Sequence, residues 1–292
     1  MRTAVITIAA HRRTHLRNQL AGLRAATERA DHHIVVSMGD PDIVTTLRGT
    51  GADCVELPPR SPLPLAAARN TGARAALAVG AELLVFLDVD CVPSPQLLTR
   101  YRHAARHTAD RLLCGPVTYL PPPPALGYDL DHLADLRDPH PARPDPPPDS
   151  LLDGDDPALF WSLSFAIPDA TWRRIGGFDT RYRGYGGEDT DFAYRAAELG
   201  IRPCWVGGAD SYHQHHPVED PPIGHLADIL ANARTFHDRW GWWPMGGWLE
   251  GFRSAGLITY HPDHDTWTPT EAGTATMRTQ APSRTRPVFA GM

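Results

Sequence analysis

The chain has little cysteine, no long apolar run and no excess of positive charge, and each shortfall removes a class of protein. Its four cysteines, Cys54, Cys91, Cys114 and Cys204, show no CxxC spacing, which excludes a zinc knuckle or a disulfide framework. Their apolar, strand-like surroundings predict buried thiols. No stretch approaches the roughly 20 apolar residues of a membrane-spanning helix, and the start Met1-Arg2-Thr3-Ala4-Val5-Ile6-Thr7-Ile8 turns polar too soon for a secretory signal. A cytoplasmic protein without a membrane span is expected. A formal net charge of -6 argues against nucleic acid as a partner, because such a surface must neutralise phosphates. No internal repeat is visible, and an apolar share of 42% over 292 residues is enough for a substantial core.

What is present is alternation. Thr3 to Ala9 is rich in β-branched residues, and in the following Arg12 to Glu28 the residues Leu16, Leu20 and Leu23 recur at helical spacing. His33 to Ser37 then predicts a strand, Ile43 to Arg48 a short helix, Cys54 to Leu57 a strand, Leu63 to Val79 an alanine-rich helix, and Leu83 to Asp88 a fourth strand. This pattern implies an α/β fold with a mostly parallel sheet, right-handed crossovers and ligands at the carboxyl ends of the strands. After Leu112 to Leu120 the regularity stops at Pro121-Pro122-Pro123-Pro124, and proline returns at 139, 141, 144 and 146–148. Such a segment is neither a regular helix nor a central strand. It reads either as a surface excursion covering a site or as a semi-rigid, partly disordered linker. Leu159 to Ile167 predicts a strand, Asp169 to Ile175 and Glu188 to Leu199 helices, Pro203 to Val206 a strand, and Leu226 to Trp240 an amphipathic helix. From Asp265 onward apolar periodicity is lost and a disordered tail is expected.

Two acidic clusters and a histidine cluster carry the chemistry. Asp88-Val89-Asp90 closes the apolar run Leu83-Leu84-Val85-Phe86-Leu87, where unpaired buried carboxylates are costly and so should meet a cation or cap a helix starting near Pro93 and Ser94. In Tyr185-Gly186-Gly187-Glu188-Asp189-Thr190-Asp191 the glycines allow close backbone approach to a ligand, while three acids crowd the positive end of the next helix. A carboxylate there accepts a proton from a hydroxyl that turns acidic as it attacks. In His213-Gln214-His215-His216, His213 and His216 are spaced to reach a metal, with His215 facing away. Carboxylate and imidazole ligands together favour manganese or magnesium over a thiolate zinc site. The segment Trp240-Gly241-Trp242-Trp243-Pro244-Met245-Gly246-Gly247-Trp248 is a stacking surface for a sugar or aromatic group, or else core or a homodimer contact.

Taken together these residues resemble the GT-A glycosyltransferases of the family 2 type, especially the β-1,4-galactosyltransferase-like branch. Asp88-Val89-Asp90 is similar to that branch's DVD motif, Gly184-Tyr185-Gly186-Gly187-Glu188-Asp189 to its WGGED acceptor motif, and Arg69-Asn70-Thr71-Gly72 to its R-N-x-G helix. The resemblance implies a GT-A, Rossmann-like fold with a mostly parallel or mixed sheet, formed by one domain over 1–264. Within it 1–119 would be the nucleotide-sugar-binding half, 120–158 the proline-rich insertion and 159–264 the acceptor and catalytic half, with 265–292 as the tail. It also implies metal ligation by Asp90 with His213, His216 or both, and Asp189 as catalytic base. Ala9, Ala10, Arg12, Asp40, Arg69, Asp88 and Val89 would line the nucleotide-sugar, and Tyr185, Gly187 and Glu188 the acceptor. The chain departs from the family in lacking proline near Ile8-Ala9-Ala10 and in having Ser37-Met38-Gly39-Asp40 where an acidic pair is common. The expected activity is inverting, Mn2+- or Mg2+-dependent transfer of a hexose from a nucleotide-sugar, with UDP as nucleotide, to a hydroxyl acceptor. The competing expectations are a non-catalytic nucleotide-sugar or glycan-binding protein, and a nucleotide-sugar hydrolase or nucleotidyltransferase.

Overall fold

Leu83–Leu87 is buried at every position, and the larger part of the fold is built around it. The computed structural model describes residues 1–280. In chain order the elements begin β1 (Thr3–Ala9), α1 (Arg13–Arg24), β2 (His32–Met38), α2 (Pro41–Leu47), β3 (Asp53–Leu57), α3 (Leu65–Ala78) and β4 (Leu83–Leu87). They continue with β5 (Cys91–Pro93), α4 (Leu97–His107), β6 (Arg111–Cys114), β7 (Val117–Tyr119), β8 (Leu151–Asp153), β9 (Ser164–Pro168), α5 (Asp169–Ile175), α6 (Glu188–Glu198), β10 (Arg202–Val206) and β11 (Ser211–His213). The last elements are α7 (Leu226–Trp240), α8 (Gly246–Ser254), β12 (Ile258–His261), β13 (Thr266–Pro269) and α9 (Glu271–Gln280).

An eight-stranded sheet runs β3-β2-β1-β4-β9-β6-β10-β8. The first four strands are parallel, β9 is antiparallel to both β4 and β6, and β6 pairs in parallel with β10. The sheet is therefore mixed, as the fold class requires. Phe86 and Phe165 stack across β4 and β9 at 4.6 Å, and Phe178 on Phe192 at 4.4 Å continues the same core. A second sheet, β5-β11-β7, is short but places the histidine segment beside the acidic pair.

One domain over 1–264 was expected. The chain forms two compact units, Met1–Arg183 with Glu188–Pro217, and Gly184–Gly187 with Val218 onward. In the second unit Leu226, Ile229, Leu249, Phe252 and Ile258 form a core of their own. Residues 266–280, expected to be disordered, form β13 and α9. The hairpin of β12 and β13 stacks Tyr260 on Trp267 at 4.8 Å, and Met277 packs on the same core as Trp267. Gln280 Nε2 adds a hydrogen bond to the Ile223 carbonyl at 2.6 Å and Thr270 Oγ1 one to the Gly256 carbonyl at 2.8 Å, so scattered polar contacts with two apolar anchors hold these elements and create no periodic pattern. The remainder of the expected tail, 281–292, lies outside the described residues. Cys91, Cys114 and Cys204 are buried as expected, but Cys54 is exposed because β3 is an edge strand. The proline-rich stretch contributes β8, which pairs antiparallel with β10 and closes the far edge of the main sheet.

Candidate active site

Asp88 and Asp90 leave the sheet at the carboxyl end of β4 in a tight turn closed by the Cys91 N–H on the Asp88 carbonyl at 2.8 Å. β5 then pairs antiparallel with β11, with Cys91 opposite His213, and the Gln214 N–H bonds the Asp90 carbonyl at 2.7 Å. The outcome is that Asp90 Oδ2 lies 3.4 Å from His213 Nε2 and 3.5 Å from His216 Nε2. Ligand atoms of these three residues fall within 4.8 Å of one another, the one such grouping among the described residues. His215 is exposed, as its position predicted.

The donor set fits a divalent cation. Asp90 Oδ1 is buried with no hydrogen-bond partner, so the carboxylate has an unfilled acceptor beside two imidazole nitrogens. Burial works against the Asp90 charge, yet the hydrogen bonds from His213 and His216 hold its carboxyl well below the ordinary range. The Asp90 hydrogen bond raises His216 in turn. Burial, then the Arg12 charge, lowers His15, whose ring meets His216 edge-on at 6.3 Å.

A second cluster is centred on Arg69, from the buried face of α3. Its Nη1 donates to Glu188 Oε1 at 2.8 Å and its Nη2 to Asp88 Oδ1 at 3.1 Å, so one buried guanidinium joins the two acidic motifs. Asp189 stands at the start of α6, where its Oδ1 accepts the Thr190 N–H at 2.8 Å. Burial and the neighbouring Glu188 push Asp189 up to about 6, with Arg69 opposing. Burial likewise pushes Asp88 up to about 6 against Arg69.

Other expected residues are placed variously. Ala9 and Ala10 end β1 and are buried, and Val89 packs with Ala9, Leu16 and Leu20. Arg12 precedes α1. Asp40 is the N-cap of α2, accepting from Asp42 N at 2.9 Å, and also receives the His11 N–H at 2.7 Å. Both its oxygens are therefore engaged by main chain. Tyr185 and Gly187 belong to the second unit. There the Tyr185 ring stacks between His225 at 4.8 Å and Trp248 at 5.5 Å, and Asn232 Nδ2 donates to the Tyr185 and Gly186 carbonyls. Gly186 and Gly187 adopt φ of 95° and 86°, a region that favours glycine.

The sequence reading missed the side chains that hold these groups in place. Gln19, fully buried, accepts from Thr7 Oγ1 at 2.8 Å and donates to the Asp88 carbonyl at 2.7 Å and the Cys91 carbonyl at 3.1 Å. Gln214 sits between the two histidines, accepting from Asn18 Nδ2 at 2.7 Å and donating to the His15 carbonyl at 3.1 Å. A glutamine on the otherwise apolar face of Leu16 and Leu20 was the one available signal.

This is the GT-A fold of glycosyltransferases. The S. aureus TarS fragment 1-349 matches with a TM-score of 0.54 and 14% identity, covering 82% of this chain and 66% of that one. GalNAc-T7, solved with UDP, GalNAc and Mn2+, matches with a TM-score of 0.54 and 12% identity, covering 82% and 48%. At such identities the likeness is one of fold. Residues 158–217, which carry Glu188, Asp189, His213 and His216, match the family described as the N-terminal domain of galactosyltransferase. Validoxylamine A glucosyltransferase of Streptomyces hygroscopicus subsp. jinggangensis (strain 5008) is 31% identical over 202 residues, or 59% of this chain and 44% of the relative. Its counterpart from subsp. limoneus is 31% identical over 202 residues, with 59% and 41% covered. The chain thus spans less than half the length of these curated relatives. The matched family, the relatives and the structural neighbours are all glycosyltransferases.

Proposed function

We propose that the chain is an inverting, metal-dependent glycosyltransferase that moves a hexose from a nucleotide-sugar, with UDP as the nucleotide, to a hydroxyl acceptor. The observation that carries this reading is the convergence of Asp90, His213 and His216 on one point, next to an arginine-bridged pair of acidic motifs. A Mn2+ or Mg2+ ion held by those three residues would neutralise the diphosphate as it leaves.

The remaining chemistry belongs to the chain's own groups. Asp189 takes the proton of the acceptor hydroxyl while its oxygen bonds to the anomeric carbon, and the bond from that carbon to the diphosphate oxygen breaks on the opposite face. One displacement through an oxocarbenium-like state inverts the centre. Arg69 holds Glu188 and Asp88 in place through its two ion pairs, and Asp189, like Asp88, is pushed by burial up to about 6, a range that suits a base working near neutral pH. Glu188 serves the acceptor, and Ala9, Ala10, Arg12 and Asp40 the nucleotide side.

A screen of nucleotide-sugars against simple glycoside and polyol acceptors, following release of nucleoside diphosphate with and without Mn2+, tests the reading. Metal-dependent diphosphate release that requires an acceptor is expected. Sugar phosphate or pyrophosphate as the product would mark a hydrolase or nucleotidyltransferase, and donor binding without turnover would mark a binding protein.

A further inference from the structure

Tyr119 is 47% exposed, although it stands at the end of β7 beside buried residues of the metal-ligand cluster. Its ring lies 4.7 Å from that of His213 and 5.7 Å from that of His140. His140 in turn meets Trp161 edge-on at 4.9 Å. The next residue, Ser162, gives its main-chain N–H to Asp189. One row of rings therefore starts at a candidate metal ligand and ends one residue before the main-chain donor to the candidate base.

The strand order says what should lie against that row. Ala9, Ala10 and Asp40 sit at the carboxyl ends of β1 and β2, Asp88 and Asp90 at the end of β4, and β4 is followed in the sheet by β9. Because β9 is antiparallel, with Ser164 opposite Leu87, Trp161 is on the same edge of the sheet as Asp90. A donor laid along this edge with its diphosphate at Asp90 and its nucleoside toward β1 and β2 directs its sugar toward β9 and the ring row.

We propose that Tyr119, His140 and Trp161 form the stacking wall that receives the hexose of the donor, with His140 brought to the wall by the proline-rich insertion. The inference rests on the nucleotide-sugar reading above. Aromatic faces suit the apolar C–H faces of a pyranose, and a ring already held in place loses little entropy on binding. The insertion is held accordingly. The His140 N–H bonds the Val117 carbonyl at 3.0 Å, the Asp138 N–H bonds Thr118 Oγ1 at 3.1 Å, and Arg137 pairs with Asp210 at 2.7 Å. Arg143, 7% exposed, lies between the rings of Trp161 at 5.3 Å and Trp205 at 4.9 Å. Tyr128 Oη also accepts the His215 N–H at 3.0 Å, so the insertion braces the histidine segment directly.

Calorimetric titration in Mn2+ with UDP, UDP-glucose, UDP-galactose and UDP-N-acetylglucosamine tests the wall. The wild-type protein should prefer one UDP-sugar over UDP. Tyr119→Ala should weaken that sugar nucleotide about tenfold, the scale of one lost ring contact, while UDP affinity stays within about twofold and also reports that the variant is folded. Tyr119→Phe should keep the preference. Equal loss for UDP and the UDP-sugar, or no loss for either, would overturn the wall and leave the nucleotide-sugar reading standing. A wild-type protein that binds none of the four overturns that reading and the wall with it.

Discussion

Replacing Gln19 with leucine should loosen the metal-binding turn without touching a ligand. The glutamine amide spans two elements, joining Thr7 of β1 to the carbonyls of Asp88 and Cys91 on either side of Asp90. Leucine has nearly the same volume, so the change removes hydrogen bonds and leaves little cavity. It removes three hydrogen bonds in a place where Gln19 is fully buried, although the Thr7 hydroxyl keeps His33 Nε2 at 3.2 Å and the Asp88 carbonyl keeps the Cys91 N–H at 2.8 Å. Each lost hydrogen bond is worth about 0.5–1.5 kcal/mol net, so a total of about 3 kcal/mol is expected for the three. That is roughly a hundredfold in the local opening equilibrium at 1.4 kcal/mol per decade. Native-state hydrogen exchange of the β1 and β4 amides measures it directly, and Mn2+ titration of the same variant should show affinity weakened by roughly tenfold or more, as for other groups that orient metal ligands. Protection of those amides reduced by less than about 1 kcal/mol, with Mn2+ affinity unchanged, would refute the idea that Gln19 sets the geometry of the turn.

Three further outcomes follow from the acidic cluster. Asp189 must be ionised to accept a proton and titrates at about 6 because burial and Glu188 raise it, so kcat/KM should climb about tenfold per pH unit below that value and level off above it. Asp189→Asn should lower the rate by roughly a hundred- to ten-thousandfold with UDP affinity retained, and a variant of wild-type rate would remove Asp189 from the chemistry. Arg69→Met should destabilise the larger unit by about 3–5 kcal/mol, since it leaves Asp88 and Glu188 without their shared cation. Adding Glu188→Gln to that variant should recover part of the loss in urea unfolding, and no recovery would show that Arg69 matters through packing instead.

The helices and long strands, and the residues that carry the chemistry, could be read from the chain alone. β1 and β4 follow from continuous runs of β-branched and apolar residues, and α6 and α7 from apolar residues at helical spacing, which are local properties of the chain. Asp88, Asp90, Glu188, Asp189, His213 and His216 stand out because acids and imidazoles of that density have no packing use. Tertiary structure alone decided three things. The first was which of these groups meet, since the pairing of β5 with β11 that brings His213 and His216 to Asp90 joins residues more than 110 positions apart. The second was the set of positioning side chains, Gln19, Asn18 and Gln214, each an ordinary polar residue until its partners are known. The third was the standing of the short or irregular segments. β8 in the proline-rich stretch, and β13 and α9 beyond Asp265, are held by partners elsewhere in the chain such as β10, Leu257 and Tyr260. Order supplied by remote contacts leaves no period in the sequence, because the free energy that maintains it comes from surfaces the segment itself does not encode.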